Sequence, residues 1–192
     1  MITASNNPFR VERIHALPYT DPDFDWGSLL GRLKEMDYCG TISGPHGNGK
    51  TTLMLELCQR LEKQGHRTKY LRLNEENRRL PSGFLEALRS GVDSRKILLL
   101  DGAEQLGPMA WRRLRRATRE SPGLIITTHK AGRLPSLYHC QTSRDTLDVL
   151  LRQLIPEQAP ALQELAQQLY EIHQGDIRSI LFALYDHFAE QE

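Results

Sequence analysis

The sequence has no long hydrophobic run. None of its apolar stretches approaches the roughly 20 residues that a membrane-spanning helix needs. Its first residues, MITASNNPFRVERI, also lack the apolar core of a secretion signal. These absences argue against a membrane protein and a secreted protein. We therefore expect a cytoplasmic protein without a membrane partner.

Cysteine is scarce and histidine is scattered. Cys39, Cys58 and Cys140 lie far apart in the sequence, and the seven histidines show no spacing typical of zinc ligands. The pattern predicts neither a disulfide framework nor a structural zinc site. We expect small reduced thiols, as in a cytoplasmic protein.

The chain also lacks a strong net charge, since 25 basic and 24 acidic residues leave +1. The charges are unevenly distributed, however. Residues 144–192 carry 3 basic and 9 acidic residues, so this segment is at −6 and residues 1–143 are at +7. A basic body with an acidic tail is compatible with nucleic-acid binding and with head-to-tail association of copies. An ordinary solvated surface gives the same asymmetry.

What is present is a globular composition, with 39% hydrophobic and 26% charged residues in a chain of 192. Apolar segments of strand length alternate with helical patterns. Strands are predicted at 38–43, 68–73, 97–101, 124–128 and 137–142, and helices at 26–36, 50–63, 81–89 and 108–119. Continuous apolar strands such as ILLL and LIIT are typical of a parallel sheet covered on both faces.

Residues 44–52, GPHGNGKTT, lie at a predicted strand-to-helix junction and match the phosphate-binding P-loop pattern. Glycines let backbone N–H groups converge on a triphosphate, and the helix dipole favours anions at its N-terminus. Lys50 is expected to reach the β- and γ-phosphates, and the Thr51 hydroxyl to bind Mg²⁺. The predicted ATP-binding residues of this loop are Gly44, Pro45, His46, Gly47, Asn48, Gly49, Lys50, Thr51 and Thr52.

A P-loop site also needs an acid on a neighbouring strand to hold the magnesium shell. Asp101, which ends the apolar run ILLL, is the predicted metal-site acid. Many P-loop ATPases place a glutamate directly after this aspartate, but Gly102 follows it here. The nearest acid is Glu104, which is either the catalytic base or an ordinary residue at the start of the next helix.

After residue 143 no strand pattern follows, and three amphipathic helical patterns end the chain. The first is predicted to begin at a capping box formed by Thr142 and Asp145. We expect an α/β fold with a parallel-sheet P-loop core and a small all-helical lid. The predicted limits are an extended lead-in at 1–25, the nucleotide-binding core at 26–143 and the lid at 144–192.

The order of P-loop, Asp-ended strand, polar-ended strand and helical lid resembles the AAA+ ATPases, especially clamp-loader, branch-migration and transposition-regulator modules. The resemblance covers residues 26–190, although only short motifs match closely. LIITTHKAG, residues 124–132, looks like the sensor 1 strand, which implies a catalytic role for Thr128, with Thr127 as second choice. GDIRSILFALY, residues 175–185, looks like sensor 2, which implies that Arg178 contacts the nucleotide and acts in catalysis.

A local argument supports Arg178 as an anion-binding residue. With Asp176 as N-cap, Arg178 lies in the first helical turn, where a cation opposes the helix dipole. A bound anion would relieve this conflict. Of the histidines near the motifs, His46 is expected to face solvent, whereas the sequence leaves open whether His129 contacts nucleotide.

Active AAA+ rings usually supply an arginine finger from a neighbouring subunit. The segment after sensor 1 offers only Lys130 and Arg133. The other source is WRRLRRATR, whose predicted helical face contains Arg112, Arg115, Arg116 and Arg119. Three roles remain open for this face: an arginine finger, a set of contacts to DNA phosphates, or a solvated stripe.

The expected function is ATP binding with Mg²⁺ and ATP hydrolysis that drives a conformational or assembly cycle. The alternative is a low-turnover, ATP-dependent switch that recruits a protein or DNA partner. A small-molecule kinase shares the P-loop, but the GDIR motif argues against it. Expected partners are ATP and ADP, with copies of the chain, DNA or a client protein left open.

Overall fold

The computed structural model of the protein describes residues 7–90, 93 and 95–190. They form two compact units. The sheet unit contains residues 25–44 and 53–139, and the helical unit contains the described residues within 1–24, 45–52 and 140–192. The predicted domain limits stay a prediction.

The secondary structure follows the predicted alternation of strands and helices. The strands are β1 (Cys39–Ser43), β2 (Thr68–Arg72), β3 (Ile97–Asp101), β4 (Leu124–Thr128) and β5 (Ser136–His139). The helices are α1 (Val11–His15), α2 (Trp26–Glu35), α3 (Lys50–Lys63), α4 (Phe84–Arg89), α5 (Pro108–Ala117), α6 (Arg144–Leu154), α7 (Ala159–Ile172) and α8 (Ile177–Ala189). A short 3₁₀ helix spans Ala103–Gln105.

The five strands form one parallel sheet in the order β2-β3-β4-β1-β5. Their carboxyl ends therefore lie along one edge, which we call the carboxyl edge. Asp101 ends β3, Thr128 ends β4 and Ser43 ends β1. The Ser43 hydroxyl is 2.9 Å from Nδ1 of His139 at the end of β5. The predicted α/β fold class, a parallel sheet followed by C-terminal helices, is confirmed.

The central strands are apolar because both of their faces are covered. Every residue of β3 and of β4 is buried. On one face, alternate residues of these strands pack against α4 and α5. The core on this face includes Leu98, Leu100, Leu124, Ile126, Phe84, Leu88 and Leu114.

The helical unit has a core of its own, to which α6, α7 and α8 contribute their apolar faces. Phe9 is fully buried in it, with its ring centroid 5.3 Å from that of Phe188. The N-terminal segment was expected to be extended, but α1 is helical because Ile14 packs on this core and Arg13 donates to the Leu154 carbonyl. Helix α1 has only 5 residues, which is too short for a helical period of apolar residues to be visible in the sequence.

Several predicted boundaries differ from the structure by a few residues. The capping box of α6 is formed by Ser143 and Thr146, one residue later than predicted. Helix α4 begins at Phe84 because Gly83, at φ 72°, interrupts the pattern before it. Strand β5 ends at His139, earlier than predicted. Among the described residues, no helix combines the length and the apolar character that crossing a membrane requires.

Gly102 directly follows Asp101 at the carboxyl edge, and only glycine fits there. Its φ is +80°, a left-handed conformation. A Cβ atom at this position would lie 2.2 Å from the backbone oxygen of Leu73. A glutamate directly after Asp101 is therefore sterically excluded in this fold.

We predict that Gly102→Ala destabilises the protein more than Gly65→Ala. Gly65 has a similar φ of +87°, but an added Cβ there meets nothing within 4 Å. Gly65→Ala should therefore cost only the left-handed penalty of about 1–2 kcal/mol. Gly102→Ala must in addition displace the Leu73 carbonyl. Urea denaturation of both variants measures the difference, and equal losses would contradict the steric explanation.

Candidate functional site

The P-loop lies in the helical unit and leads into α3. Gly47 and Gly49 adopt φ values of +70° and +76°. Left-handed residues next to right-handed ones turn successive backbone N–H groups towards one concave side, which suits an anion. Neither the Gly47 nor the Gly49 N–H donates to a backbone carbonyl of a described residue. The loop thus has the backbone conformation that the motif predicts.

The loop lysine is held against its own loop. Lys50 is 9% exposed, and its Nζ donates a hydrogen bond to the Pro45 carbonyl oxygen. Burial raises the pKa of the nearby Cys140 thiol to about 11, while a hydrogen bond from Tyr19 and the charge of Lys50 oppose the shift. Cys140 is therefore a neutral thiol at pH 7.

Two side chains from distant parts of the sequence lie directly against the loop glycines. A Cβ on Gly47 would be 1.7 Å from Oδ1 of Asp176, and a Cβ on Gly49 would be 3.0 Å from the Tyr19 ring. A side chain at either glycine would have to adopt a left-handed conformation and also displace Asp176 or Tyr19. The sequence predicted Asp176 only as a helix cap, and Tyr19 lies in a segment without a motif.

Arg178 lies in the first turn of α8, two residues after Asp176. The Asp176 carboxylate caps this helix by accepting the Ser179 N–H at 3.1 Å. The Arg178 side chain is exposed and makes no hydrogen bond or ion pair to any described residue. Its role in nucleotide binding stays a prediction.

Asp101 is buried at the carboxyl edge of the sheet unit, where hydroxyl groups orient its carboxylate. Thr127 Oγ1 donates to Asp101 Oδ1 at 2.6 Å, and the Tyr70 hydroxyl donates to Oδ2 at 3.1 Å. Arg72, its partner in the register of β2 with β3, places Nε 3.7 Å from Oδ2. Burial raises the pKa of Tyr70, and the Asp101 carboxylate raises it further. Tyr70 therefore stays protonated and remains a donor.

The two threonines that end β4 make different contacts. Thr127 Oγ1 accepts the Gly102 N–H at 2.8 Å while it donates to Asp101, so it joins β4 to the end of β3. Thr128 Oγ1 donates to the Lys130 carbonyl at 2.7 Å within its own turn. The sequence favoured Thr128 as the nucleotide sensor, but Thr127 is the threonine in contact with Asp101.

Glu104 lies on the 3₁₀ helix that follows Gly102. Its Oε1 is 3.3 Å from Nε2 of His129, and its Oε2 is buried without a hydrogen-bond partner among the described residues. This carboxylate therefore has one oxygen paired with the residue after β4 and one oxygen whose acceptor capacity is unused. Sequence spacing could not reveal the pairing with His129.

Arg133, one of the two finger candidates after β4, is engaged within its own unit. It donates to the Leu106 carbonyl at 2.5 Å, and its guanidinium lies 5.0 Å from the centroid of the Trp111 ring. Burial lowers the pKa of Arg133, and the charge of Glu104 opposes that shift. Lys130, the other candidate, is exposed.

No family model matches the chain, and no curated protein matches it. Among solved structures, the chain is similar to one described as the structure of C. elegans PCH-2. The two share 15% sequence identity with a TM-score of 0.45, over 85% of this chain and 68% of that chain. A likeness of this size does not indicate a function.

We predict that Thr127→Val destabilises the protein more than Thr128→Val. The first change leaves the buried Gly102 N–H without its acceptor and Asp101 Oδ1 without its donor, which costs about 1–3 kcal/mol. The second removes one local hydrogen bond, worth about 1 kcal/mol. Chemical denaturation at neutral pH tests this, and an equal loss in both variants would contradict the role assigned to Thr127.

Proposed function

We propose that the protein binds ATP through residues 44–52. The observation that carries this proposal is the P-loop sequence in a loop that is left-handed at Gly47 and Gly49 and enters a helix at Lys50. Backbone N–H groups, one buried ammonium and a helix N-terminus are the donors that a triphosphate requires.

Magnesium is the ion that this donor set fits. The described residues contain no group of three or more His, Cys, Asp or Glu that could hold a metal. Mg²⁺ in nucleotide sites needs no such group, because phosphates, water and few protein oxygens coordinate it. Thr51 would supply a hydroxyl ligand. Asp101, proposed from its place after β3, would hold the ion's water shell through its oriented carboxylate.

ATP hydrolysis is the activity that we propose for this site. Bound Mg²⁺ would neutralise charge on the phosphates, and the nucleotide would supply the γ-phosphoryl group. Lys50 would stabilise charge on the phosphate oxygens, and Glu104 would accept the proton of the attacking water. In this proposal Thr128 and Arg178 are the nucleotide sensors, as in the AAA+ ATPases. Copies of the chain and a DNA or protein client remain proposed partners.

A low-turnover switch is the second candidate, and Gly102 favours it. Because no acid fits directly after Asp101, water activation must come from Glu104, which is paired with His129. A base held by such a partner would support slow hydrolysis or none. Nucleotide binding alone would then change the contacts of the Asp176–Arg178 turn and recruit a partner.

We expect Lys50→Ala to weaken binding of ATP with Mg²⁺ by about ten- to a hundredfold, which corresponds to the roughly 1.5–3 kcal/mol of a charged hydrogen bond. Isothermal titration calorimetry measures the affinity. Lys63→Ala, at the exposed far end of α3, is the matched control and should bind ATP as the wild type does. Circular dichroism checks that both variants fold. Wild-type affinity in a folded Lys50→Ala protein would overturn the proposed function.

Glu104→Gln separates the two candidate functions. If Glu104 is the base of an ATPase, turnover should fall by about 10²–10⁴ while ATP affinity is retained. Glu120→Gln, at an exposed position after α5, should leave turnover unchanged. Phosphate release under saturating ATP measures both. Low wild-type turnover that Glu104→Gln does not change would instead support the switch.

A further inference from the structure

The sheet unit carries a groove on the outer side of α4 and α5. It consists of two adjoining hollows of about 860 and 940 Å³. Both hollows are lined by Leu85, Arg89, Met109 and Arg113, so they form one continuous surface. We call it the arginine groove, and it has no part in the proposed ATP site.

One wall of the arginine groove is formed by α5 and the residues after it. Leu114 and Ala117 are buried, and the opposite face of the helix is exposed. That face contains Arg112, Arg113, Arg115, Arg116 and Arg119. Arg113 was absent from the predicted stripe, but it lines both hollows.

The second wall of the groove favours a binding surface over a solvated stripe as the interpretation of the α5 arginines. Arg78, Arg79 and Arg89, which belong to α4 and the segment before it, face the same groove. A solvated stripe would end at the exposed face of α5. Here arginines from two separate segments line the adjoining hollows, which an extended anion could occupy.

The charge of the groove is not neutralised within the described structure. None of the arginines of either wall lies within 4 Å of a carboxylate oxygen of another described residue. Glu86 is the acid among the lining residues, and no lysine lines either hollow. A concave surface lined by positive charges raises the local concentration of anions and speeds their association.

The groove also has apolar lining residues. Met109 of α5 is 68% exposed, and Leu85 and Trp111 line the groove as well. Sites for single-stranded nucleic acid combine a cationic track for the phosphates with apolar or aromatic surface for the bases. Arginine in particular matches phosphate oxygens with two parallel N–H donors.

We propose that the arginine groove binds the sugar-phosphate backbone of a nucleic acid. A nucleic acid fits better than an acidic peptide because it offers closely spaced phosphates along its whole length, which suits rows of guanidiniums on two walls. This assignment does not depend on ATP binding, so it can be tested without nucleotide.

The test compares two triple variants that remove the same charge from the sheet unit. The groove variant is Arg112→Ala/Arg113→Ala/Arg116→Ala. The control variant is Arg32→Ala/Arg67→Ala/Arg95→Ala, at exposed positions that do not line the groove. Fluorescence anisotropy with labelled oligothymidine and with a labelled DNA duplex measures affinity over a series of salt concentrations. Thermal unfolding by circular dichroism checks that each variant folds.

We expect the groove variant to bind oligothymidine at least about tenfold more weakly than wild type, and the control variant to bind within about twofold. The slope of log K against log salt should shrink by about 0.7 for each lost phosphate contact in a single strand. Arg89→Ala, on the other wall, should weaken binding in the same direction.

Four outcomes would overturn the proposal. Wild type could fail to bind either oligonucleotide, or the control variant could lose as much affinity as the groove variant, which would indicate net charge alone. Displacement of oligothymidine by polyglutamate at equal charge concentration would point to an acidic protein partner. The groove variant could lose a self-association that wild type shows in sedimentation and still bind oligonucleotide as wild type does. That result would assign the groove to a second copy of the chain.

Discussion

The close approach of the Gly102 backbone to the Leu73 carbonyl constrains the whole carboxyl edge of the sheet. It requires a left-handed residue without a side chain directly after Asp101. The Gly102 N–H then reaches Thr127, whose hydroxyl in turn holds the Asp101 carboxylate. The next acid along the chain, Glu104, lies on a 3₁₀ helix beside His129. The steric contact thus keeps an acid from the position directly after Asp101, while the Thr127 and Tyr70 hydroxyls orient the Asp101 carboxylate.

A comparable constraint acts on the P-loop within the helical unit. Asp176 and Tyr19 occupy the space that side chains at Gly47 and Gly49 would need. Residues far away in sequence therefore limit the side chains that the loop can accept at these two positions. Because Asp176 also caps α8, a ligand that changes the loop would act on the turn that carries Arg178.

Each unit has its own feature suited to anions, and the two features use different chemistry. The P-loop offers backbone N–H groups and one buried lysine, which suit a compact group such as a triphosphate. The arginine groove offers long side chains on two walls, which suit an extended chain of phosphates. Because the acidic residues are concentrated in residues 144–192, a protein with a net charge of only +1 can carry both features.

The sequence by itself determined the strands, the P-loop and the acid at the end of β3. The signals for these features lie within a few neighbouring residues. A continuous apolar run indicates a strand that is buried on both faces, and the spacing of the glycines indicates the P-loop. Only the tertiary structure decided that Thr127 contacts Asp101, that Tyr19 lies on Gly49, and that Arg89 lies across the groove from α5. Such contacts join residues far apart in the chain, and their geometry depends on strand register and helix packing. No local spacing records that geometry.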